Sequence, residues 1–213
     1  MQPFTTLSGI AAPMLQDNVD TDSIIPSRES TSVSRDGYGE KLFANWRYHP
    51  GTRAENAGFV LNRAPYRDAT ILLAGHNFGC GSSREAAVWS LAQFGIRCII
   101  AKGFGDIFRN NCIRNGLLPV ALTAGAVDAL VAQVEASGGA APITVDLLAQ
   151  QVTAPDGTAW DFAIDALERD MLLEGLDAID LTLKSAAAIA AFQARDKRLR
   201  RWIYGRPDKV LQP

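Results

Sequence analysis

The chain has 213 residues, 47% of them hydrophobic, with a formal net charge of −2. That length supports one domain with embellishments and a sizeable core. The near-neutral balance excludes a nucleic-acid-binding surface, which needs a basic surplus. No run of about 20 apolar residues predicts a membrane span, and the opening MQPFTTLSGI lacks the basic-then-apolar pattern of a secretory leader. Cys80, Cys98 and Cys112 offer neither a disulfide framework nor a tight metal motif, so a reduced, cytoplasmic setting is expected. With only two histidines, His49 and His76, the search turns from hydrolytic triads and zinc sites toward serine, arginine and carboxylates, or groups the chain lacks.

Before residue 60 the sequence is poor in regular periodicity. Asp17-Asn18-Val19-Asp20-Thr21-Asp22 reads as an acidic loop, followed by Ile24-Ile25 and a proline, and residues 27–41 read as a long, irregular loop. From residue 69 the pattern sharpens. Ile71-Leu72-Leu73 predicts a buried strand ending at Gly75, residues 83–94 a helix closed by Gly95, and residues 96–101 a second strand. A helix over 106–114, a strand over 118–122 and a helix over 126–136 capped by Thr123 follow. This alternation predicts parallel strands with helical crossovers, whose ligands bind beyond the carboxyl ends of the strands. Residues 143–147 and 162–164, with the turn Pro155-Asp156-Gly157 between them, predict an added β-hairpin. Residues 167–174 and 184–201 read as helical, the latter within a C-terminal tail spanning 184–213 whose basic cluster, Arg195 to Arg201, reads as a solvated helix end.

The chemistry concentrates in Asn77-Phe78-Gly79-Cys80-Gly81-Ser82-Ser83-Arg84-Glu85. Its glycines permit a tight turn that aims N–H groups into one concavity, with a helix start behind it. Ser82 or Ser83 can cap that helix, and Glu85 completes the spacing of a capping box, which alone needs no ligand. Arg84, read as lying in the first helical turn where the dipole disfavours a cation, suits a bidentate pairing with a carboxylate or phosphate. The glycine spacing matches neither a dinucleotide fingerprint nor a lysine-ended phosphate loop. Asp20 reads as a turn former or as the partner of an active-site arginine. Arg28 and Arg35 read either as substrate-recognising or as solvated. Cys80 and Cys98 read as packing residues, and the asparagines of residues 110–115 as structural.

Two stretches, Asp17 to Pro26 and Asn77 to Glu85, resemble motifs of the small subunit of 3-isopropylmalate dehydratase, in the aconitase superfamily. So do Ala101 to Asn110, Asn115 to Val120 and Leu172 to Leu183. The resemblance implies an α/β fold, a single swivelling β/β/α domain over residues 1–213. It also implies a large partner subunit whose cysteines hold a [4Fe–4S] cluster as Lewis acid, with no cofactor on this chain. By the same resemblance Ser82 is the alkoxide-type base and Arg84 binds a substrate carboxylate. Asp22, Thr21, Ser83 and Arg28 complete the substrate-binding set, with residues 27–41 the recognition loop. The implied reaction dehydrates 2-isopropylmalate and rehydrates the product to 3-isopropylmalate, a step of leucine biosynthesis. Ala86, where the family commonly has histidine, and Ser27-Arg28-Glu29 depart from its pattern. They leave methylmalate, dimethylmalate, homoaconitate or a non-catalytic anion-binding module as alternatives.

Overall fold

The computed structural model describes residues 1–30, 35–82 and 84–204. It forms two compact units, Met1–Gly175 and Leu176–Pro213. The first unit runs β1 (Thr6–Gly9), β2 (Ala11–Met14), α1 (Thr21–Ile24), α2 (Ala44–Arg47), β3 (Ile71–Ala74), α3 (Glu85–Phe94) and β4 (Cys98–Ala101). It continues with α4 (Asp106–Arg114), β5 (Leu118–Ala121), α5 (Ala124–Ala136), β6 (Ile143–Asp146), β7 (Gln151–Thr153), β8 (Ala159–Asp161) and α6 (Ala166–Glu174).

Strands β2-β3-β4-β5 form a parallel sheet in sequence order, as the alternation of strands and helices predicts. Each strand alternates between two cores. Leu72, Ala74, Ile99 and Ala101 face one, shared with Ala87 and Leu91 of α3 and with Phe108 and Cys112 of α4. Ile71, Leu73, Cys98 and Ile100 face the other, shared with Val127, Leu130 and Val134 of α5 and with Val145 and Val152 of the second sheet. Fully buried strands account for the continuous apolar runs in the sequence. Pro119 lies in β5, an edge strand, where its missing N–H breaks no inner ladder.

The second sheet is antiparallel, in the order β1-β6-β7-β8. It corrects two sequence readings. The turn Pro155-Asp156-Gly157 joins β7 to β8, and β6 pairs with β7 rather than with residues 162–164. The opening segment also carries two strands, β1 and β2, separated only by Ile10. β1 shows only weak two-fold alternation and β2 is largely buried, so their partners 60 or more positions away, Ile71 and Ile143 among them, supply the pairing that local periodicity does not.

The second unit is helical: α7 (Ala178–Leu183), α8 (Ala186–Leu199) and α9 (Arg201–Tyr204). Asp177 and Asp180 form a reciprocal capping box on α7. Asp196 accepts from Tyr204 Oη at 2.8 Å and pairs with Arg200. The remainder of the expected tail, residues 205–213, lies outside the described residues.

Candidate active site

Beyond the carboxyl ends of β2, β3 and β4, the chain continues as bridged loops. Asn18 N donates to His76 O at 2.9 Å, Gly79 N to Val19 O at 2.7 Å, and Thr21 N to Cys80 O at 3.0 Å. Phe78 N donates to Gly103 O and Gly105 N to Phe78 O, both at 2.9 Å. The early acidic loop and the glycine–serine turn, far apart in sequence, are thereby joined side by side at the end of the parallel sheet. That is where an open α/β sheet places its ligands.

Glycine is required at position 79. Its φ is +75°, and a β-carbon there would stand 2.1 Å from Cγ of buried Phe108. A Gly79→Ala variant is expected to lose about 2–5 kcal/mol, combining ~1–2 for a left-handed alanine with ~1–3 for overpacking. Urea unfolding of the isolated chain measures it, and a loss within experimental error would contradict this packing.

Asp20 caps α1, its Oδ1 accepting from Ser23 N at 2.6 Å, so of its two readings the structure gives the turn former. Thr21, buried, donates its hydroxyl to Ser82 O at 2.9 Å and so anchors the turn that displays the exposed Ser82 side chain. Asp22 pairs with Arg84 through both carboxylate oxygens, Nη2 to Oδ2 at 3.0 Å and Nη1 to Oδ1. Ser27 locks the pair. Its Oγ donates to Asp22 Oδ1 at 2.9 Å and accepts from Arg84 Nη1 at 3.0 Å, and its N–H reaches Asp22 Oδ1 at 3.1 Å.

Bonding from the Ser27 hydroxyl, followed by Arg84, holds the Asp22 carboxyl below its usual range, against the opposing effect of burial. A lowered carboxyl stabilises the folded state above its ordinary pKa, and that contribution is lost as pH falls through the lowered value. The tie between the early loop and α3 therefore persists across neutral pH and weakens only in acid below the ordinary carboxylate range.

Two sequence readings need correction here. The helix starts at Glu85, and Arg84 is its N-cap, in extended conformation (φ −133°) with no side-chain capping bond. Arg84 thus still lies at the positive end of the α3 dipole, and the Asp22 carboxylate offsets its charge there. No capping box forms with Ser82, because the helix begins at Glu85 itself; Glu85 Oε1 accepts from Asn115 Nδ2 at 3.0 Å. Asn115 also accepts from Trp89 Nε1 at 3.1 Å, which fits the structural role expected for it. Ser83 lies outside the described residues.

The 27–41 segment is more ordered than its composition suggests where it is described. Short 3-10 turns span Ser27–Glu29 and Gly39–Lys41. Tyr38 is 1% exposed, stacks edge-on against Trp89 at 5.6 Å, and its N–H donates to Gln93 Oε1 at 2.8 Å. Arg35 lies over the Trp89 ring at 4.5 Å, so its cation is engaged with α3. Residues 31–34 of that segment lie outside the described residues. Arg28 instead stands in the wall of a cavity of about 340 Å³ that also contains Asp22 and Ser27. The Ser27 bridge had no assigned role in the sequence reading. Its only signal was a serine placed by Pro26 to turn back onto Asp22.

Residues 1–125 match the family model described as the aconitase C-terminal domain, and residues 128–166 match one described as LeuD_N. The 3-isopropylmalate dehydratase small subunit of Cupriavidus necator is 55% identical over 205 residues, covering 96% of this chain and 99% of that protein. The chain belongs to the 3-isopropylmalate dehydratase small-subunit family. The family's small subunit from Nitrobacter winogradskyi is 49% identical over 202 residues, covering 95% of this chain and all of that protein. The crystal structure of 3-isopropylmalate dehydratase from Methanocaldococcus jannaschii aligns with a TM-score of 0.62 at 26% identity, covering 88% of this chain and 99% of that one. The α/β fold, with its parallel core, helical crossovers and antiparallel second sheet, is that of the superfamily's swivelling domain.

The cysteines of this family member do not suit an iron–sulfur cluster. Cluster ligands must converge on one site, whereas Cys98 of β4 packs in one core and Cys112 of α4 in the other. Cys80 is half-buried in the turn. Among the described residues no three histidine, cysteine or carboxylate side chains converge as a metal-binding group, and no helix is long and apolar enough to cross a membrane.

Proposed function

We propose that this chain is the small subunit of a 3-isopropylmalate dehydratase, and that with a large iron–sulfur subunit it interconverts 2-isopropylmalate and 3-isopropylmalate. The observation that carries this reading is the network of Asp22, Ser27 and Arg84, which ties the early acidic loop to the turn bearing Ser82. Ser82 Oγ, as the alkoxide, takes the proton from the methylene carbon of 2-isopropylmalate and becomes the hydroxyl, while the substrate hydroxyl leaves the adjacent carbon. Water then adds back in the opposite sense, with the proton returned to the carbon that had carried the hydroxyl. Lewis acidity toward the departing hydroxyl is the contribution of the [4Fe–4S] cluster in the large subunit.

Arg84 orients the substrate. Asp22 occupies the end-on edge of its guanidinium, formed by Nη1 and Nη2. The edge formed by Nε and Nη2 presents a second two-pronged donor set, suited to a substrate carboxylate. Thr21 holds Ser82 through its carbonyl, and Ser83 and Arg28 add substrate contacts. Residues 27–41 serve as the recognition segment, and the tail that begins at residue 184 is helical over its described part. Three free thiols suit the reducing cytoplasm as its place of work.

The test is a substrate panel on the reconstituted two-subunit complex. Turnover of 2-isopropylmalate is expected to exceed that of methylmalate, dimethylmalate and homoaconitate. Faster turnover of any of those three, or of none of the four, would overturn the assignment.

A further inference from the structure

We propose that Asn45 is a positioning residue for substrate recognition, fixing the Arg28 guanidinium at the wall between two cavities; this rests on the reading of Arg28 as a substrate-binding group. Arg28 and Asn45 are the two residues common to the cavity beside Asp22 and to a larger one of about 490 Å³ that reaches Tyr48, His49 and Arg53. Arg28 Nη2 donates to Asn45 Oδ1 at 2.5 Å. Among the described residues its ion-pair partner, Glu29, lies 3.7 Å from Arg28 Nε and is engaged at 2.7 Å by Arg53. Asn45 is therefore the nearer anchor for a side chain that is 62% exposed, and an arginine so exposed has many rotamers to lose when it is held.

Asn45 has a rigid base. It lies on α2, which follows Phe43 in left-handed conformation (φ 48°). Phe43 is fully buried, donates its N–H to Ile24 O at 2.7 Å and stacks on Trp46 at 5.4 Å. Arg47, at the end of α2, is buried and bonds Gly39 O at 3.0 Å and Asn62 Oδ1 at 3.2 Å. The carboxamide of Asn45 thus stands on a platform fixed by core packing, whereas Arg28 stands on a half-exposed three-residue 3-10 turn with no side-chain cap. Anchoring a mobile guanidinium before the substrate arrives lowers the ordering cost of binding.

A mutant cycle in the reconstituted complex tests this, with 2-isopropylmalate as substrate. Asn45→Ala is expected to raise KM about threefold to tenfold with kcat within about twofold, the signature of lost uniform binding. Arg28→Ala is expected to raise KM at least as far, and the double variant no further than Arg28→Ala alone. A structural role for Asn45 would instead carry its penalty into the Arg28→Ala background. That result, or an unchanged KM in Asn45→Ala, would overturn the inference. Failure of the underlying assignment reads differently: the wild-type complex would leave 2-isopropylmalate unconverted before any variant is compared.

Discussion

Replacing Ser82 by alanine is expected to lower kcat of the two-subunit complex by about 10²–10⁴-fold, the usual contribution of a positioned general base. The side chain is exposed, and the turn that carries it is held through backbone groups: Thr21 Oγ1 on the Ser82 carbonyl, and Thr21 N on the Cys80 carbonyl. Removing the hydroxyl therefore leaves the scaffold intact. KM and subunit assembly should stay close to wild type, because an interaction made only with the proton in flight does not contribute to ground-state binding. Steady-state kinetics, with gel filtration to follow assembly, makes the comparison. A variant turning over at the wild-type rate would remove Ser82 from the chemistry.

Arg84→Lys is expected to lower kcat/KM by about 30- to 1,000-fold, equivalent to about 2–4 kcal/mol. The arginine fork binds Asp22 through two nitrogens and touches the Ser27 hydroxyl. A lysine ammonium keeps the charge but has no planar fork, so it cannot hold Asp22 and a substrate carboxylate in two-pronged fashion together. The pair is partly exposed, so little of the loss should appear in folding stability. A large drop in kcat/KM beside a small shift in Tm is the expected pattern. Equal activity in the lysine variant would show that charge alone suffices at this position.

Much of this was legible because the residues concerned act locally. The helix over 106–114 and the caps at Gly95 and Thr123 follow from short-range rules. Strand β3 announced itself as an apolar run ended by glycine, since a strand buried on both faces needs no alternation. β1 and β2 were missed because their pairing comes from residues distant in sequence. The turn Pro155-Asp156-Gly157 was read correctly while its strands were not, because β7 has three residues and only Val152 buried.

At the site, the glycine–serine turn was visible from composition, and the need for a carboxylate opposite Arg84 followed from guanidinium geometry. The sequence offers Asp20 as partner of such an arginine, whereas the structure puts Asp22 there and uses Asp20 as a cap. Spacing cannot reveal that Asp22 and Arg84 meet; the parallel bridging of Asp20 to Cys80 brings the two segments together. The same limit hid Asn45, whose place beside Arg28 is fixed by how α2 packs rather than by any motif.

In the function we propose, this chain is one half of a shared active site, supplying the base while the large subunit supplies the cluster. The most direct measurement holds the large subunit constant and titrates in this chain while following 3-isopropylmalate formed from 2-isopropylmalate. Turnover should be absent without this chain, rise with each addition and saturate, and the Ser82→Ala chain should compete for assembly while adding almost no turnover. A large subunit that converts 2-isopropylmalate equally well without this chain would contradict the claim.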